Sequence, residues 1–147
     1  MIEDYRILSI DPGDKRIGIA MSDLSATIAS PNRVLPHVQR LVDAKAIVMI
    51  AKEFNVKRIV VGQALDIEGL PTPSGRKAAR LAEAIQSQTE IPVVLWDESY
   101  STNAARSARK EMGVKREKQK GHLDDLAATV ILQTYLDENY MEIHRSE

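Results

Sequence analysis

The fold of this chain is decided by one stretch near its start, ILSIDPGDKRIGIAMSD at residues 7–23. An apolar strand ends on Asp11, a Pro-Gly turn follows, and a second strand of alternating apolar residues returns beside the first. An ionised carboxylate is costly to bury in a strand unless it has a partner. Asp11 is therefore expected to need one, and a metal cation is the obvious candidate.

Length and composition bound the class of protein. With 147 residues, of which 44% are hydrophobic and 28% charged, the chain predicts one globular domain over 1–147. No apolar stretch approaches the roughly 20 residues of a membrane span, and Glu3 and Asp4 interrupt any leader segment at the start. The absence of cysteine excludes disulfides and thiolate metal sites. We therefore expect a cytoplasmic protein with no membrane partner.

The hydrophobic period along the chain predicts the element order β-β-β-α-β-α-β-α-α. Three strands joined by short turns come first, and Pro31 places an end or an edge in the third. An antiparallel meander followed by crossover units predicts an α/β fold with a mixed five-stranded sheet and helices on both faces. Gln63–Ser74 is long for a loop and is expected to be mobile or functional. The elements after the first hairpin are predicted at Ala26–Leu35, Val38–Phe54, Arg58–Gly62, Gly75–Gln88, Val93–Trp96, Ser101 or Thr102 to Met112, and Leu123–Tyr140.

Two further acids are predicted at the same edge of the sheet as Asp11. Glu98 follows the last strand and Asp124 opens the final helix, and ligands of α/β sheets gather at the carboxyl ends of the strands. Mg²⁺ and Mn²⁺ prefer such oxygen ligands, and two ions roughly 3.5–4 Å apart can hydrolyse a phosphodiester by activating a water. Each acid also has a local explanation, as a turn residue, a solvated loop acid beside Asp97, or a favourable charge at a helix start. Their joint placement favours a metal site.

Charge is distributed unevenly along the chain. The net charge of −1 does not indicate a nucleic-acid-binding protein, but residues 106–120 hold seven basic residues against two acidic ones. By default this is a solvated face and a loop; with a phosphodiester substrate it would grip the backbone. Lys15 and Arg16, in the first hairpin, would orient a phosphate if Asp11 binds metal. The seven basic residues are Arg106, Arg109, Lys110, Lys115, Arg116, Lys118 and Lys120.

The stretch from Asp11 to Asp23 resembles the N-terminal signature of the YqgF-type family. These are Holliday-junction-resolvase-like proteins, also described as pre-16S rRNA nucleases, within the ribonuclease H-like superfamily. The similarity continues through IVVG at 59–62, LWDES at 95–99, and DDLAA at 124–128 with ILQTYL at 131–136. It implies a three-layer ribonuclease H-like fold with Asp11, Glu98 and Asp124 as the acidic triad that holds divalent metal. Ser99 stands where the family usually has Arg, and Gln63-Ala64 where it commonly has Leu-Pro.

The leading hypothesis is a nuclease dependent on Mg²⁺ or Mn²⁺, with two ions when substrate is bound, that processes the 5′ end of pre-16S rRNA in ribosome biogenesis. It would leave a 5′-phosphate and a 3′-hydroxyl. A Holliday-junction resolvase and a nucleic-acid-binding or protein-binding module with little catalysis are the alternatives.

Other classes fit the sequence less well. An ATP-handling domain of the actin and sugar-kinase type also begins Asp-x-Gly, but the chain is too short for its two duplicated domains. A response-regulator receiver needs a phosphoacceptor Asp that Arg58–Gly62 lacks. Because residues that grip phosphate carry no base information, RNA and branched DNA both stand as substrates. A two-fold homodimer would suit a symmetric junction.

Overall fold

A computed structural model describes residues 4–99 and 123–145 of the chain, and within helix residues 123–125 it describes the backbone alone. The strands in these ranges are β1 (Ile7–Pro12), β2 (Arg16–Ser22), β3 (Ala29–Pro36), β4 (Arg58–Gln63) and β5 (Val93–Asp97). The helices are α1 (Arg40–Glu53), α2 (Pro73–Gln86), α3 (Leu123–Glu138) and the short α4 (Tyr140–Ile143). The helix predicted from Ser101 or Thr102 to Met112 lies outside the described residues.

The five strands form one sheet in the order β3-β2-β1-β4-β5. β1 pairs antiparallel with β2, and β2 with β3, whereas β1 with β4 and β4 with β5 are parallel. The predicted mixed sheet is confirmed. It places β1 at the centre, so the end of β1 is flanked by paired strands on both sides.

Strand β3 lies at the edge of the sheet, as Pro31 predicts. Proline has no N–H to donate to a ladder, and the register shifts beside it, where Ala20 pairs with Pro31 and Ile19 with Arg33. The predicted start at Ala26 is three residues early. The reason is a turn in which Asp23 accepts hydrogen bonds from the N–H groups of Thr27 and Ile28.

Two apolar layers cover the two faces of the sheet. Leu8 and Ile10 pack with α1 and α2 on one face, whereas Ile7 packs with α3 on the other. Ser9 also faces α3, because its hydroxyl donates to the carbonyl of Ala128 at 2.7 Å. Since side chains alternate along a strand, Asp11 continues the α3-facing set of β1, and Pro12 continues the set facing α1 and α2.

Helix α3 runs back along the sheet, away from the end of β1. Its last half reaches the start of β4, where Arg58 donates to the hydroxyl of Tyr135 at 2.6 Å. The first turn of α3 therefore lies towards the edge where β1 and β4 end. The final helix, predicted to run to Tyr140, ends at Glu138. Asn139 is then the N-cap residue of the short helix α4.

The loop at Gln63–Ser74 is folded into a small hydrogen-bonded hairpin. Leu65 bridges Pro71, and Asp66 accepts from the N–H of Leu70. Its closing residue Thr72 caps α2, because its hydroxyl accepts from the N–H of Gly75 at 3.1 Å. Helix α2 therefore starts at Pro73, two residues earlier than the apolar period predicts. In the described part of the chain, no helix has the length and apolar character needed to cross a membrane.

Candidate metal centre

Asp11 is the next-to-last residue of β1 and is partly buried. The preceding residue, Ile10, pairs with Val61 of β4, so the position beside Asp11 along β4 is that of Gly62. On its other side Asp11 pairs with Gly18 of β2. Asp11 thus stands on the central strand between two glycines of the neighbouring strands.

Glu98 is brought to the same edge by the end of β5. Its N–H donates to the carbonyl of Gln63 at 3.1 Å, which extends the pairing of β4 and β5 by one residue. Its carboxylate turns in over Gly62: a Cβ placed on that glycine would lie 3.3 Å from Glu98 Oε2 and 3.6 Å from the carbonyl oxygen of Ile10. Because Gly62 has no side chain, Glu98 lies close over it, at the end of β4 beside the end of β1.

Gly62 is the functional residue that sequence reasoning missed. In the sequence it ends a predicted strand and belongs to the IVVG motif, neither of which indicates a role at the site. A signal was present, because a glycine at a strand end often marks a close approach by another group. What could not be read from the sequence is which group approaches.

The two acids at the end of β5 have different environments. Asp97 accepts a hydrogen bond from the N–H of Ser99 at 2.9 Å, as expected of a loop acid. Both side chains are partly buried, and burial raises the pKa of the Glu98 carboxyl above the ordinary value, with the negative charge of Asp97 adding to the rise. The local explanation of a fully solvated loop acid therefore does not fit Glu98.

The donor set at this edge fits a hard divalent cation. Asp11 and Glu98 offer carboxylate oxygens on the α3 face, and a cation between them would offset their negative charge. Within residues 4–99 and 126–145, no three His, Asp or Glu side chains come together as a metal cluster.

Asp124 belongs to the first turn of α3, and its side chain lies outside the described atoms. The position itself can be placed by helical periodicity. It precedes Ala128 by four residues and Ile131 by seven, and both of these pack against the sheet. Residue 124 therefore falls on the sheet-facing side of the helix, at the end of α3 that lies towards Asp11. Residue 125 falls on the same side, three residues before Ala128.

Lys15 and Arg16 share the edge with Asp11. Both are exposed, Lys15 in the turn that joins β1 to β2 and Arg16 as the first residue of β2. The turn is tight: the N–H of Gly13 donates to the carbonyl of Arg16 at 2.9 Å, and a Cβ on Gly13 would lie 2.5 Å from that oxygen. The seven basic residues predicted to grip a backbone lie outside the described residues: Arg106, Arg109, Lys110, Lys115, Arg116, Lys118 and Lys120.

The sheet order, with α1 and α2 on one face and α3 on the other, defines a ribonuclease H-like fold, as predicted. Among solved structures, Thermus thermophilus RuvC in complex with a Holliday junction substrate superimposes with a TM-score of 0.56. The superposition covers 91% of this chain and 95% of that one, at 16% sequence identity. Similarity at that level establishes the shared fold.

The chain belongs to the RuvX family, whose sequence model is described as Holliday junction resolvase and matches residues 5–138. A relative from Caldanaerobacter subterraneus subsp. tengcongensis is 41% identical over 133 residues, 90% of this chain and 96% of its own length. One from Clostridioides difficile is 40% identical over 134 residues, 91% and 95% of the two chains. Both are named "Putative pre-16S rRNA nuclease". The predicted family and the predicted class of enzyme, a nuclease, are confirmed.

Proposed function

We propose that this chain is a divalent-metal-dependent nuclease that hydrolyses phosphodiester bonds in structured RNA, with the 5′ end of pre-16S rRNA as its substrate. The observation that carries the proposal is the approach of the Glu98 carboxylate over Gly62 to the end of β1, where Asp11 stands. The names of the relatives support the choice of RNA.

Asp11, Glu98 and Asp124 are proposed to hold the metal. A divalent cation, when bound there, supplies Lewis-acid stabilisation of the charge on the attacking and leaving oxygens. Asp11 is the central ligand, because it stands on the middle strand with paired strands on both sides. Glu98 follows β5 and Asp124 belongs to the first turn of α3, so the three proposed ligands come from three separate parts of the fold.

The exposed basic residues are proposed to position the substrate. Lys15 and Arg16 lie a few residues beyond Asp11 and can orient the scissile phosphate by charge-assisted hydrogen bonds. The basic residues between 106 and 120 would hold the backbone further away. Such contacts give affinity and register rather than base specificity. Hydrolysis would leave a 5′-phosphate and a 3′-hydroxyl.

The test is cleavage of labelled substrates by the intact protein with Mg²⁺ or Mn²⁺. The substrates are a ribosomal-precursor RNA with its 5′ extension and a four-way DNA junction. We expect metal-dependent cleavage of the RNA, loss of that cleavage in Asp11→Asn, and retention in the matched control Asp4→Asn, which alters an exposed acid before the other end of β1. Unchanged cleavage in Asp11→Asn would refute the assignment.

Junction resolution is the second candidate, and the family description favours it. Resolving a symmetric junction requires two cuts related by a two-fold axis, so this activity would require a homodimer. The junction arm of the same assay, together with the mass of the protein in solution by light scattering, distinguishes the two. Paired symmetric cuts by a dimer would favour the junction, and cleavage of the RNA alone by a monomer would favour rRNA processing.

A further inference from the structure

A cleft of about 510 Å³ opens on the face of the sheet opposite the proposed metal site. Pro12 and Gly13 form one wall, the start of α1 forms a second, and the first turns of α2 form a third. Pro12 directly follows Asp11, so the cleft and the proposed metal site meet at the same strand end. A volume of this order suits a small polar ligand or one unit of a longer chain.

A histidine is fixed in this cleft by a buried acid. Asp43 of α1 is only 4% exposed, and its Oδ2 lies 2.5 Å from His37 Nδ1. The other oxygen of Asp43 accepts from the N–H of Val38 at 3.0 Å, and the N–H of His37 donates to the carbonyl of Lys15. Backbone and side chain of His37 are thus both held. Because Nδ1 is paired with Asp43, Nε2 is the ring nitrogen that can contact a ligand in the cleft.

Positive charge dominates the rest of the lining. Arg40, Lys77 and Arg80 are exposed side chains from two helices that face the same space. The acids that line it are Asp43, which is committed to His37, and Asp14, which is exposed and lies 3.8 Å from the ammonium of Lys77. The lining therefore contains three cations, a histidine and the hydroxyl of Ser74, but only one exposed carboxylate, that of Asp14. This set matches the donors that bind phosphate.

We propose that this cleft is a second phosphate site, which holds a backbone phosphate of the nucleic-acid substrate away from the scissile bond. The proposal rests on the proposed function for the identity of the substrate. A strand that reaches both sites must pass over the turn at Gly13, because Asp11 and Pro12 open to opposite faces. The cleft would then fix the path of the strand across the edge of the sheet, before any chemistry occurs.

The test measures binding by the intact protein in EDTA, so that it does not depend on cleavage. The probes are a fluorescein-labelled hairpin RNA with a single-stranded tail and a labelled four-way DNA junction, followed by anisotropy over a range of salt. The double variant Lys77→Ala/Arg80→Ala is compared with Lys52→Ala/Lys57→Ala. The latter removes two exposed charges from the end of α1 and the segment before β4, at the opposite edge of the sheet.

We expect the cleft variant to lower the affinity for the hairpin RNA about tenfold, and to reduce the slope of log K against log salt by about one unit for each phosphate contact removed. The control variant should stay within about twofold of the wild type. His37→Gln, which retains a polar side chain without the imidazole ring, should show a smaller loss. Equal affinities and slopes for the two double variants would overturn the proposal, as would a wild-type chain that binds neither probe.

The cleft could instead bind a free phosphate or a small phosphorylated ligand. A second experiment distinguishes this from binding of a nucleic-acid backbone. Inorganic phosphate is titrated into ¹⁵N-labelled protein while the amides of Gly13 and Ser74 are followed by NMR. Weak binding by phosphate alone, together with the loss of RNA affinity, supports a backbone site. Saturation by phosphate with RNA affinity unchanged in Lys77→Ala/Arg80→Ala would identify a site for a small phosphorylated ligand and overturn the backbone assignment. Failure of metal-dependent cleavage would count against the proposed function alone.

Discussion

At the end of β1, the two faces of the sheet carry side chains of opposite charge. Asp11 and Pro12 are consecutive, yet one opens towards α3 and partly buried acids and the other towards α1, α2 and exposed basic residues. The alternation of side chains along a strand is the physical cause. One strand end can therefore serve two opposite kinds of chemistry, one for a cation and one for phosphate.

The two regions also depend on different properties of the chain. On the α3 face, the carboxylate of Glu98 packs closely over Gly62, so an added methyl group there would displace it. On the other face, the cations extend from helix surfaces into a wide cleft, and what matters is their number. We therefore expect small changes of shape to damage the first region and changes of charge to damage the second.

The largest effect is expected for the acids on the α3 face. Glu98→Gln and Asp124→Asn should each lower the rate of metal-dependent cleavage by about a hundredfold or more, because loss of groups that merely orient metal ligands already costs about 10–100-fold. RNA binding in EDTA should be unchanged. The measurement is single-turnover cleavage of the labelled precursor RNA.

Asp125→Asn is the matched comparison for Asp124→Asn. Residues 124 and 125 both fall on the sheet-facing side of α3, so their two variants show which acid belongs to the site. We expect Asp125→Asn to keep most of the activity. A hundredfold loss in Asp125→Asn, with Asp124→Asn active, would move the third ligand by one residue.

Gly62→Ala should give an intermediate effect through shape alone. The added Cβ would lie 2.7 Å from Ile131 Cδ1 and 3.3 Å from Glu98 Oε2, so both side chains must shift. We expect the free energy of unfolding to fall by about 1–3 kcal/mol. Cleavage should fall roughly tenfold at saturating RNA, because Glu98 is displaced.

Gly69→Ala is the control for Gly62→Ala, because it should lower the free energy of unfolding without displacing Glu98. Gly69 has a φ of 84°, so alanine there is strained by roughly 1–2 kcal/mol. A Cβ on Gly69 would touch nothing within 4 Å. Cleavage by folded Gly69→Ala should match the wild type. If both glycine variants lose activity in proportion to stability, Gly62 has only a structural role.

The smallest effect is expected for Asp23, an acid with a local structural explanation. Burial works to raise the pKa of its carboxyl, but hydrogen bonds from the N–H groups of Thr27 and Ile28 and from the hydroxyl of Ser25 outweigh it and lower the pKa below the ordinary value. Its stabilising effect is thus present above the ordinary pKa and is lost as the pH falls through the lowered one. The free energy of unfolding, measured in urea, should be lower for Asp23→Asn than for the wild type at about pH 7, and the difference should be much smaller at about pH 3. Cleavage and RNA binding should be unaffected, and a loss of either would show that Asp23 is more than a turn residue.

Much of the fold could be predicted because local patterns determine it. The apolar run that ends on Asp11 predicts β1, and Pro31 marks the edge strand because proline cannot donate to a ladder. The start of β3 was misplaced because the turn held by Asp23 depends on side-chain hydrogen bonds that no apolar pattern reveals.

The two regions differ in how far the sequence predicts them. Asp11 and Glu98 could be placed at one edge because each follows a strand of the same sheet. The cleft was not predicted, because His37, Lys77 and Arg80 are far apart in the chain and resemble ordinary surface residues. Only the packing of α1 beside α2 brings them to one space.

The most direct measurement of the central claim is Mn²⁺ binding in solution, followed by electron paramagnetic resonance without nucleic acid. The claim is that acids on the α3 face hold the metal and that the cleft on the other face does not. We predict that the wild type and Lys77→Ala/Arg80→Ala bind Mn²⁺ equally, and that Asp11→Asn and Glu98→Gln each bind at least about tenfold more weakly. Equal Mn²⁺ affinity in all four proteins would contradict the account.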